Sequence, residues 1–137
     1  MGEYILTLVS EETVEEDYLK AKEWITHNFP QFMPFVDEPK LEFVEGEYAW
    51  DIRHSPSERK IWVNMKRVGW HLYREQKSKL CPKYDMETAL IHDLFEYCYM
   101  RLWEYSETDT VVISLVHHRA RVLENALRRE KGLGDWF

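Results

Sequence analysis

The chain has 137 residues, of which 45% are hydrophobic and 31% are charged, so it can bury one core of ordinary domain size and is not expected to be disordered. Its formal net charge of −7 argues against nucleic acid as the first choice of partner. No apolar run reaches the roughly 18 residues that cross a bilayer, and residues 4–9 lack the flanks of a signal peptide, which together predict a cytoplasmic protein.

The first predicted element is a helix over residues 12–28. Ser10 and Thr13 are both candidate N-caps, and Glu16 completes a capping-box pattern with Thr13. Pro30 ends the helix. Apolar side chains recur at helical spacing and predict one buried stripe, made of Val14, Tyr18, Ala21 and Ile25.

The segment 30–56 is expected to be irregular, because prolines interrupt its first part. Alternating apolar and polar residues over 41–53 indicate a small β-hairpin with a turn at Gly46. An extended strap, whose aromatic side chains lie across the helices, accounts for the same pattern equally well. Both structures stay open.

Three long amphipathic helices are predicted in the second part of the chain, over residues 57–79, 85–105 and 109–131. In the first of them apolar residues recur every three to four positions from Ile61, so a strand over Lys60–Met65 is rejected. The middle helix is apolar nearly all round, which is typical of a helix at the centre of a bundle or shared between subunits.

The lengths of these helices and of their connectors indicate how the elements pack. Matched lengths and short connectors predict antiparallel neighbours. The predicted fold is therefore all-α: a single domain, residues 1–137, built as a four-helix up-down bundle with a long crossover strap between the first two helices. The two cysteines, Cys81 and Cys98, would be roughly 20 Å apart in this arrangement, too far for a disulfide.

Charge is unevenly distributed along the chain. Residues 1–51 carry a net charge of −10, residues 52–84 a net charge of +7, and residues 85–137 a net charge of −4. One basic segment in an acidic chain can attract an acidic surface of its own chain, an acidic surface of a second copy, or a nucleic acid. The overall acidity favours the first two.

One face of the predicted helix 57–79 indicates a contact with another molecule. Val63 and Trp70 lie seven residues apart, opposite its apolar stripe, and basic side chains surround them. An outward tryptophan among basic residues is typical of an interface hot spot. The alternatives are that the strap covers Trp70 or that a nucleic-acid base stacks on it. The predicted interface includes the terminal aromatics and comprises Val63, Lys66, Trp70, Arg74, Trp136 and Phe137.

Arg119 falls near the middle of the apolar stripe of the last predicted helix. A buried guanidinium needs a carboxylate partner, because an unpaired buried charge is costly. Glu96, or Asp93, on the preceding helix is the natural partner, which predicts a buried ion pair between Arg119 and Glu96. The alternative is that Arg119 reaches solvent at the rim of the helix.

The sequence His-Asp-Leu-Phe-Glu at residues 92–96 is the strongest chemical candidate. His92 and Glu96 are four residues apart and share one helix face, where an imidazole and a carboxylate can bind one divalent metal. His117 or His118 on the next helix would supply a further ligand. Alternatively, His92 and Glu96 form a hydrogen-bonded pair in the core without a metal.

The same segment resembles the zinc helix of the zincin metallopeptidases, in which His-Glu-x-x-His supplies two ligands and a general base. The resemblance implies zinc as the cofactor and a hydrolytic reaction. Two positions depart from that pattern, since Asp93 stands in place of the glutamate and Glu96 in place of the second histidine. Asp93 is shorter by one methylene group, which puts its reach to a metal-bound water in doubt.

Side-chain amides are scarce, since the chain has only Asn28, Gln31, Asn64, Gln76 and Asn125. Few amides among many charged residues is a thermophile-like composition. In composition and size the chain resembles small, acidic, aromatic-rich uncharacterised proteins of hyperthermophilic archaea and their viruses. The resemblance implies the cytoplasm of a cell, which for a viral protein is the host cell, and transfers no functional residue.

Surplus apolar surface carries the prediction of function. A helix that is apolar all round, an outward Trp70 and a terminal aromatic pair exceed what one small bundle covers. The main prediction is therefore a non-enzymatic protein–protein interaction module, with a second copy as its first partner and with no cofactor. The competing prediction is a metal-dependent hydrolase that uses zinc, His92, Glu96 and either His117 or His118.

Overall fold

The computed structural model describes residues 9–136 and shows, within them, four α-helices and a three-stranded mixed β-sheet. In chain order the elements are α1 (Glu11–Asn28), a 3-10 turn (Pro30–Phe32), β1 (Lys40–Val44), β2 (Ile52–Ser55), β3 (Lys60–Asn64), α2 (Met65–Lys77), α3 (Met86–Leu102) and α4 (Thr110–Glu130). This is an α+β fold, so the predicted all-α up-down bundle is wrong.

Helix α1 agrees with the prediction, and side-chain caps also start α3 and α4. The side chain of Ser10 accepts a hydrogen bond from the Thr13 N–H at 3.2 Å, and the predicted apolar stripe of α1 is buried. Asp85 caps α3 by accepting from the Thr88 N–H at 3.0 Å, and Asp109 caps α4 in the same way. These signals lie within a few residues of the element they start, so the sequence shows them directly.

The predicted helix over residues 57–79 begins too early, because the observed helix α2 begins at Met65 and residues 60–64 form strand β3. Ile61 and Val63 are fully buried, whereas Trp62 between them lies on the other face of β3. Burial therefore alternates with the two-residue period of a strand. The same residues also fit a helical period, because Ile61 precedes Met65 by four positions, and this coincidence hid the junction between strand and helix.

The strand order is β1-β3-β2, so β3 is the central strand. It pairs in parallel with β1, where Leu41 lies opposite Ile61, and antiparallel with β2, where Ile52 lies opposite Val63. Within residues 9–136 the predicted hairpin over 41–53 is therefore absent, and the antiparallel hairpin joins β2 to β3 instead.

Asn64 ends β3 and is also the N-cap residue of α2, so no connector separates the strand from the helix. Its buried side-chain amide donates to the carbonyl oxygens of Gly46 at 3.1 Å and Trp50 at 3.2 Å, and it accepts from the Gly46 N–H at 3.2 Å. These bonds fix the loop 45–51 against the end of the sheet. The loop brings Trp50 and Asp51 to the wall of a cavity.

Helix α3 lies at the centre of the molecule and packs against α1, α4, β2 and the 3-10 turn. Twelve of its 17 residues are buried. This central position explains why the helix is apolar nearly all round, and a second subunit is not needed to cover it. None of the helices between residues 9 and 136 combines the length and the apolarity that a membrane crossing requires.

Candidate metal centre

Three elements place titratable side chains around one cavity of about 310 Å³. Helix α3 faces β2 and α4 across this cavity, so that side chains from all three converge. The histidines and carboxylates that these elements supply are His54, His92, Asp93, Glu96, His117 and Glu124. The remaining walls are Trp50, Asp51, Ile52, Arg53, Ala89, Arg121 and Trp136.

Three ligand-type atoms converge between α3 and α4. His92 Nε2 lies 3.0 Å from Glu96 Oε1 and 3.2 Å from His117 Nδ1. His117 Nδ1 lies 2.8 Å from Glu96 Oε1. A tetrahedral zinc ion separates its ligand atoms by roughly 3.3 Å, given bonds of about 2.0–2.1 Å. The observed separations are close enough to this spacing that small side-chain shifts let one ion bind all three atoms.

Glu124 lies behind His92 and orients its ring. Its Oε1 lies 2.8 Å from His92 Nδ1 and accepts from the Arg121 guanidinium at 2.8 Å. The Glu124 side chain is only 5% exposed. A carboxylate on one ring nitrogen holds the other nitrogen toward a metal, and histidines that bind metals share this arrangement. With Glu124 on Nδ1, the Nε2 atom of His92 faces Glu96 and His117.

A second group of atoms lies on the other side of Glu96. His54 Nδ1 lies 2.9 Å from Asp93 Oδ1 and 3.5 Å from Glu96 Oε2. His54 belongs to β2, which packs directly on α3. Glu96 is thus common to both groups and presents one carboxylate oxygen to each of them.

The pKa values of the first group reflect its hydrogen bonds. Burial lowers the pKa of His92, but hydrogen bonds with Glu124 and Glu96 outweigh burial and raise this pKa to about 10. Burial raises the pKa of Glu96, yet hydrogen bonds with His117 and His92 outweigh it and lower this pKa to about 2. The group therefore binds a proton on His92 tightly, as expected of a site with surplus negative charge.

In the second group burial decides the protonation of Asp93. Burial raises the pKa of Asp93 to about 6, against the opposing effect of the hydrogen bond and charge of His54. Burial lowers the pKa of His54, but the hydrogen bond and charge of Asp93 prevail, and the pKa of His54 is raised. Both pKa values are thus raised, that of Asp93 by burial and that of His54 by its carboxylate partner.

The cavity walls carry more negative than positive charge. Among the described residues, four acidic residues and two arginines line the cavity, and the guanidinium of one of the arginines, Arg53, lies over the ring of Trp62. With neutral histidines the walls therefore have a net charge near −2. Such a surplus attracts a cation, either the proton on His92 or a divalent metal ion.

Three of the four predicted metal-ligand candidates come together in the structure. His92, Glu96 and His117 converge, whereas His118 is exposed and lies on the outer face of α4. The sequence left His117 and His118 as equal alternatives. The structure assigns His117 to the cavity.

Arg119 and Glu96 do not form the predicted ion pair. Arg119 is exposed, and its guanidinium donates to the Tyr99 hydroxyl at 3.3 Å. Both oxygens of Glu96 face histidines instead. The buried guanidinium of α4 is that of Arg128, which is 1% exposed and donates to the Gly134 carbonyl oxygen at 2.7 Å.

The predicted interface residues of the second helical pattern do not share one surface. Val63 is fully buried in β3 and therefore cannot line an exposed seam. Trp70 lies on α2 between Arg67 and Arg74, whose guanidinium carbons are 4.0 and 4.5 Å from its ring centre. Lys66 pairs with a carboxylate of its own chain, so the basic surroundings of Trp70 are partly engaged within the molecule.

The structure describes one of the two terminal aromatics of the predicted interface, Trp136. Trp136 packs edge-on against His71 and Tyr84, at centroid distances of 5.1 and 5.5 Å, and it also lines the cavity. Phe137 lies outside the described residues. Trp136 is therefore accounted for by contacts within the chain.

Among the histidines and carboxylates that the three elements supply to the cavity, sequence reasoning missed two, His54 and Glu124. His54 lies 38 residues before His92, and only the packing of β2 on α3 brings the two together. Glu124 continues the buried positions Val116 and Ala120 at a spacing of four. An acid on a buried stripe was the available signal for Glu124, because such an acid needs a polar partner in the interior.

Comparison with protein-family models, with curated proteins and with solved structures found no match to this chain. The function is therefore argued from the chemistry of the cavity.

Proposed function

We propose that the chain is a metal-dependent hydrolase with a divalent ion, zinc in the first instance, held by His92, Glu96 and His117. The observation that carries the proposal is the convergence of one atom from each of these side chains to within 3.2 Å of one another. Two imidazole nitrogens and one carboxylate oxygen form a ligand set of catalytic zinc, which keeps a further position open.

His92, Glu96 and His117 would hold the ion, which would supply the chemistry of a Lewis acid by lowering the pKa of a water molecule to near neutral. A carboxylate of the cavity wall would accept the proton of that water. As the water oxygen bonded to the electrophilic atom of the substrate, the bond to the leaving group would break. The leaving group would take up the proton, and a new water molecule would restore the site.

One arginine of the cavity wall favours a small anionic substrate. Arg121 lines the cavity and donates to Glu124 through one nitrogen at 2.8 Å, and its other N–H groups are the proposed contacts of the substrate. A guanidinium binds the oxygens of a phosphate or a carboxylate in a bidentate manner. A volume of about 310 Å³ is at the small end of ligand pockets, which limits the substrate to a small molecule or to one end of a larger one.

Metal content tests this proposal directly. Protein dialysed against zinc and analysed for its elements is expected to retain zinc, and His92→Ala is expected to lose it. His118→Ala is the matched control, because it removes the histidine of α4 that follows His117 and lies outside the cavity. Hydrolysis of p-nitrophenyl phosphate, compared with p-nitrophenyl acetate, measures the reaction. A wild-type protein that retains neither zinc nor manganese would contradict the proposal.

We also propose self-association, a second function that a different observation favours. Helix α4 has an apolar stripe on its outer face, where Val111 is 68% exposed, Leu115 61% and Val122 57%. Antiparallel pairing of two α4 helices about a two-fold axis sets Leu115 opposite Val122. It also sets Val111 opposite Ala126, so the stripe is complementary to itself.

Sedimentation tests self-association. The wild-type protein is expected to sediment as a dimer, and Leu115→Glu is expected to sediment as a monomer because it buries a charge in the stripe. Leu19→Glu is the matched control, since Leu19 is 57% exposed on a different helix. A dimer that persists in Leu115→Glu but dissociates in Trp70→Glu would show that the interface lies on α2 and not on α4.

A further inference from the structure

Glu96 faces two groups of ligand atoms at once. Its Oε1 lies 3.0 Å from His92 Nε2 and 2.8 Å from His117 Nδ1. Its Oε2 lies 3.5 Å from His54 Nδ1, which in turn lies 2.9 Å from Asp93 Oδ1. A carboxylate whose two oxygens point toward different imidazoles is placed to bind one ion with each oxygen.

We propose that the cavity holds two divalent cations, the second bound by His54 Nδ1, Asp93 Oδ1 and Glu96 Oε2, with the Glu96 carboxylate bridging the two ions. The proposal rests on the proposed function, which places the first ion between His92 and His117. It gives His54 and Asp93 a ligand role that a single-ion centre does not.

The second group has the chemistry of a cation site. One imidazole nitrogen and two carboxylate oxygens suit zinc, manganese or ferrous iron, and Asp93 supplies a negative charge that belongs to the second ion alone. The side chains are shielded from water, since His54 is 21% exposed, Asp93 14% and Glu96 8%. Shielded side chains lose little freedom when an ion binds them, which favours binding.

Rigid elements position these ligands. Asp93 and Glu96 are three residues apart on α3, so both project from one face of the helix. His54 lies on β2 opposite Ile61 of the central strand, and the sheet packs against α3 through β2. Ligands on a helix and a paired strand hold their geometry better than ligands on loops.

A bridging carboxylate also sets the spacing of the two ions. Ions of two-metal centres lie about 3.5–4 Å apart, and together they stabilise the attacking and the leaving oxygen of a displacement reaction. Glu96 is the only one of these ligands that belongs to both groups of the described residues. Removing it is therefore expected to affect both ions, whereas each histidine affects one.

The competing explanation gives His54 and Asp93 no metal. In that case the hydrogen bond between them only orients the pair beside a single ion. The two explanations differ in the number of ions bound and in the magnetic coupling between them, so neither comparison depends on finding a substrate.

Stoichiometry is the first measurement. Protein equilibrated with Zn²⁺ alone and freed of excess metal is expected to retain two ions per chain. His54→Ala is expected to retain one ion, His117→Ala one, and His118→Ala two as the matched control. His54→Asn provides a second variant at that position if the alanine variant fails to fold, as judged by its thermal melt.

Electron paramagnetic resonance with Mn²⁺ alone is the second measurement. The wild-type protein is expected to give the spectrum of an exchange-coupled pair, and His54→Ala that of an isolated ion. A wild-type protein that retains one ion, or a His54→Ala variant that retains two, overturns the second site and leaves the proposed single-ion hydrolase standing. Two ions without magnetic coupling overturn the Glu96 bridge. A wild-type protein that retains no ion overturns both this inference and the proposed function.

Discussion

Helix α3 presents two unlike faces to its neighbours. Toward α1 and the 3-10 turn, the ring of Phe95 packs edge-on against Phe29 and Phe32, with centroids 5.4 and 5.7 Å away. Toward β2 and α4, the same helix presents His92 and Glu96, which are held by hydrogen bonds with other titratable groups. The packing of the first face is stabilised by the fit and burial of its rings. The stability of the second face depends on the balance between its positive and negative charges.

Because the faces differ, substitutions on them are expected to affect different quantities, namely the free energy of unfolding for the aromatic face and the proposed ion binding for the polar face. Removing volume from the aromatic face lowers the free energy of unfolding whether or not an ion is bound. The polar face holds buried charges that must be neutralised, so its contribution changes with the binding of protons and metal ions. A substitution on the aromatic face is therefore expected to lower the free energy of unfolding and to leave the proposed ion binding unchanged.

The largest expected effect is that of Phe95→Ala on the aromatic face. Phe95 is 7% exposed, and its truncation leaves a cavity among the rings around it. We expect the free energy of unfolding to fall by about 3–5 kcal/mol, measured by chemical denaturation. Phe95→Leu, which keeps most of the volume, should cost clearly less. Zinc content should stay at the wild-type value in both variants, and a loss of zinc would show that the two faces are coupled.

Glu124→Gln probes the polar face without removing a ligand. The change takes the negative charge from the group that orients His92, so the imidazole becomes a poorer ligand. We expect the affinity for zinc to fall about 10–100-fold, measured by competition with a chelator of known affinity. Glu130→Gln, an exposed glutamate of the same helix, serves as the control. An unchanged affinity in Glu124→Gln would mean that His92 is not a ligand.

Glu38 gives a smaller effect that depends on pH. It accepts hydrogen bonds from the Arg101 guanidinium at 2.7 and 2.9 Å and from the Tyr97 hydroxyl at 3.0 Å. The bond from Arg101 lowers the pKa of Glu38 below its usual 4.5, although burial opposes this. Because the folded pKa lies below the unfolded one, this stability is fully present above pH 4.5 and is lost as the pH falls through the folded pKa.

Glu38→Gln is therefore expected to cost about 1–2 kcal/mol of unfolding free energy near neutral pH. Its penalty should shrink as the solution is acidified, so that the variant and the wild type converge. Denaturation at several pH values measures both effects. A penalty of the same size at every pH would show that the charge of Glu38 is not what stabilises the fold.

The smallest expected effect is that of Arg119→Met, which changes a residue outside the polar face. The side chain is exposed and its observed partner is the Tyr99 hydroxyl, not Glu96. We expect a change within about 0.5 kcal/mol in unfolding free energy and no change in zinc content. A loss of several kcal/mol would indicate that Arg119 is buried against a carboxylate after all.

The helices were more readable from the sequence than the complete cavity. The extents of α1, α3 and α4 follow from caps and from apolar spacing within each helix, both of which are local. His92, Glu96 and His117 were singled out because i, i+4 spacing and adjacent histidines are visible without a fold. His54 was not, since its position depends on the pairing of β2 with β3 and on the packing of the sheet.

The sheet itself escaped prediction for a physical reason. The parallel pairing of β1 with β3 joins segments that β2 separates in sequence, so no local pattern records it. Residues 60–64 also run into α2 without a turn, and their apolar spacing fits a helix as well as a strand. The partner strands on both sides of β3 favour the strand over the helix, and the apolar spacing of one segment does not show those partners.

The direction of α2 is locked to that of the sheet, because β3 passes into the helix at Asn64 without a connecting residue. One residue inserted at this joint would turn α2 by about 100° around its own axis. The arginines that flank Trp70 would swing to another side of the molecule, and loop 45–51 would lose the anchor of its carbonyl groups. Changes in chain length are therefore expected to be excluded at Asn64, while the connectors before and after α3 have residues to spare.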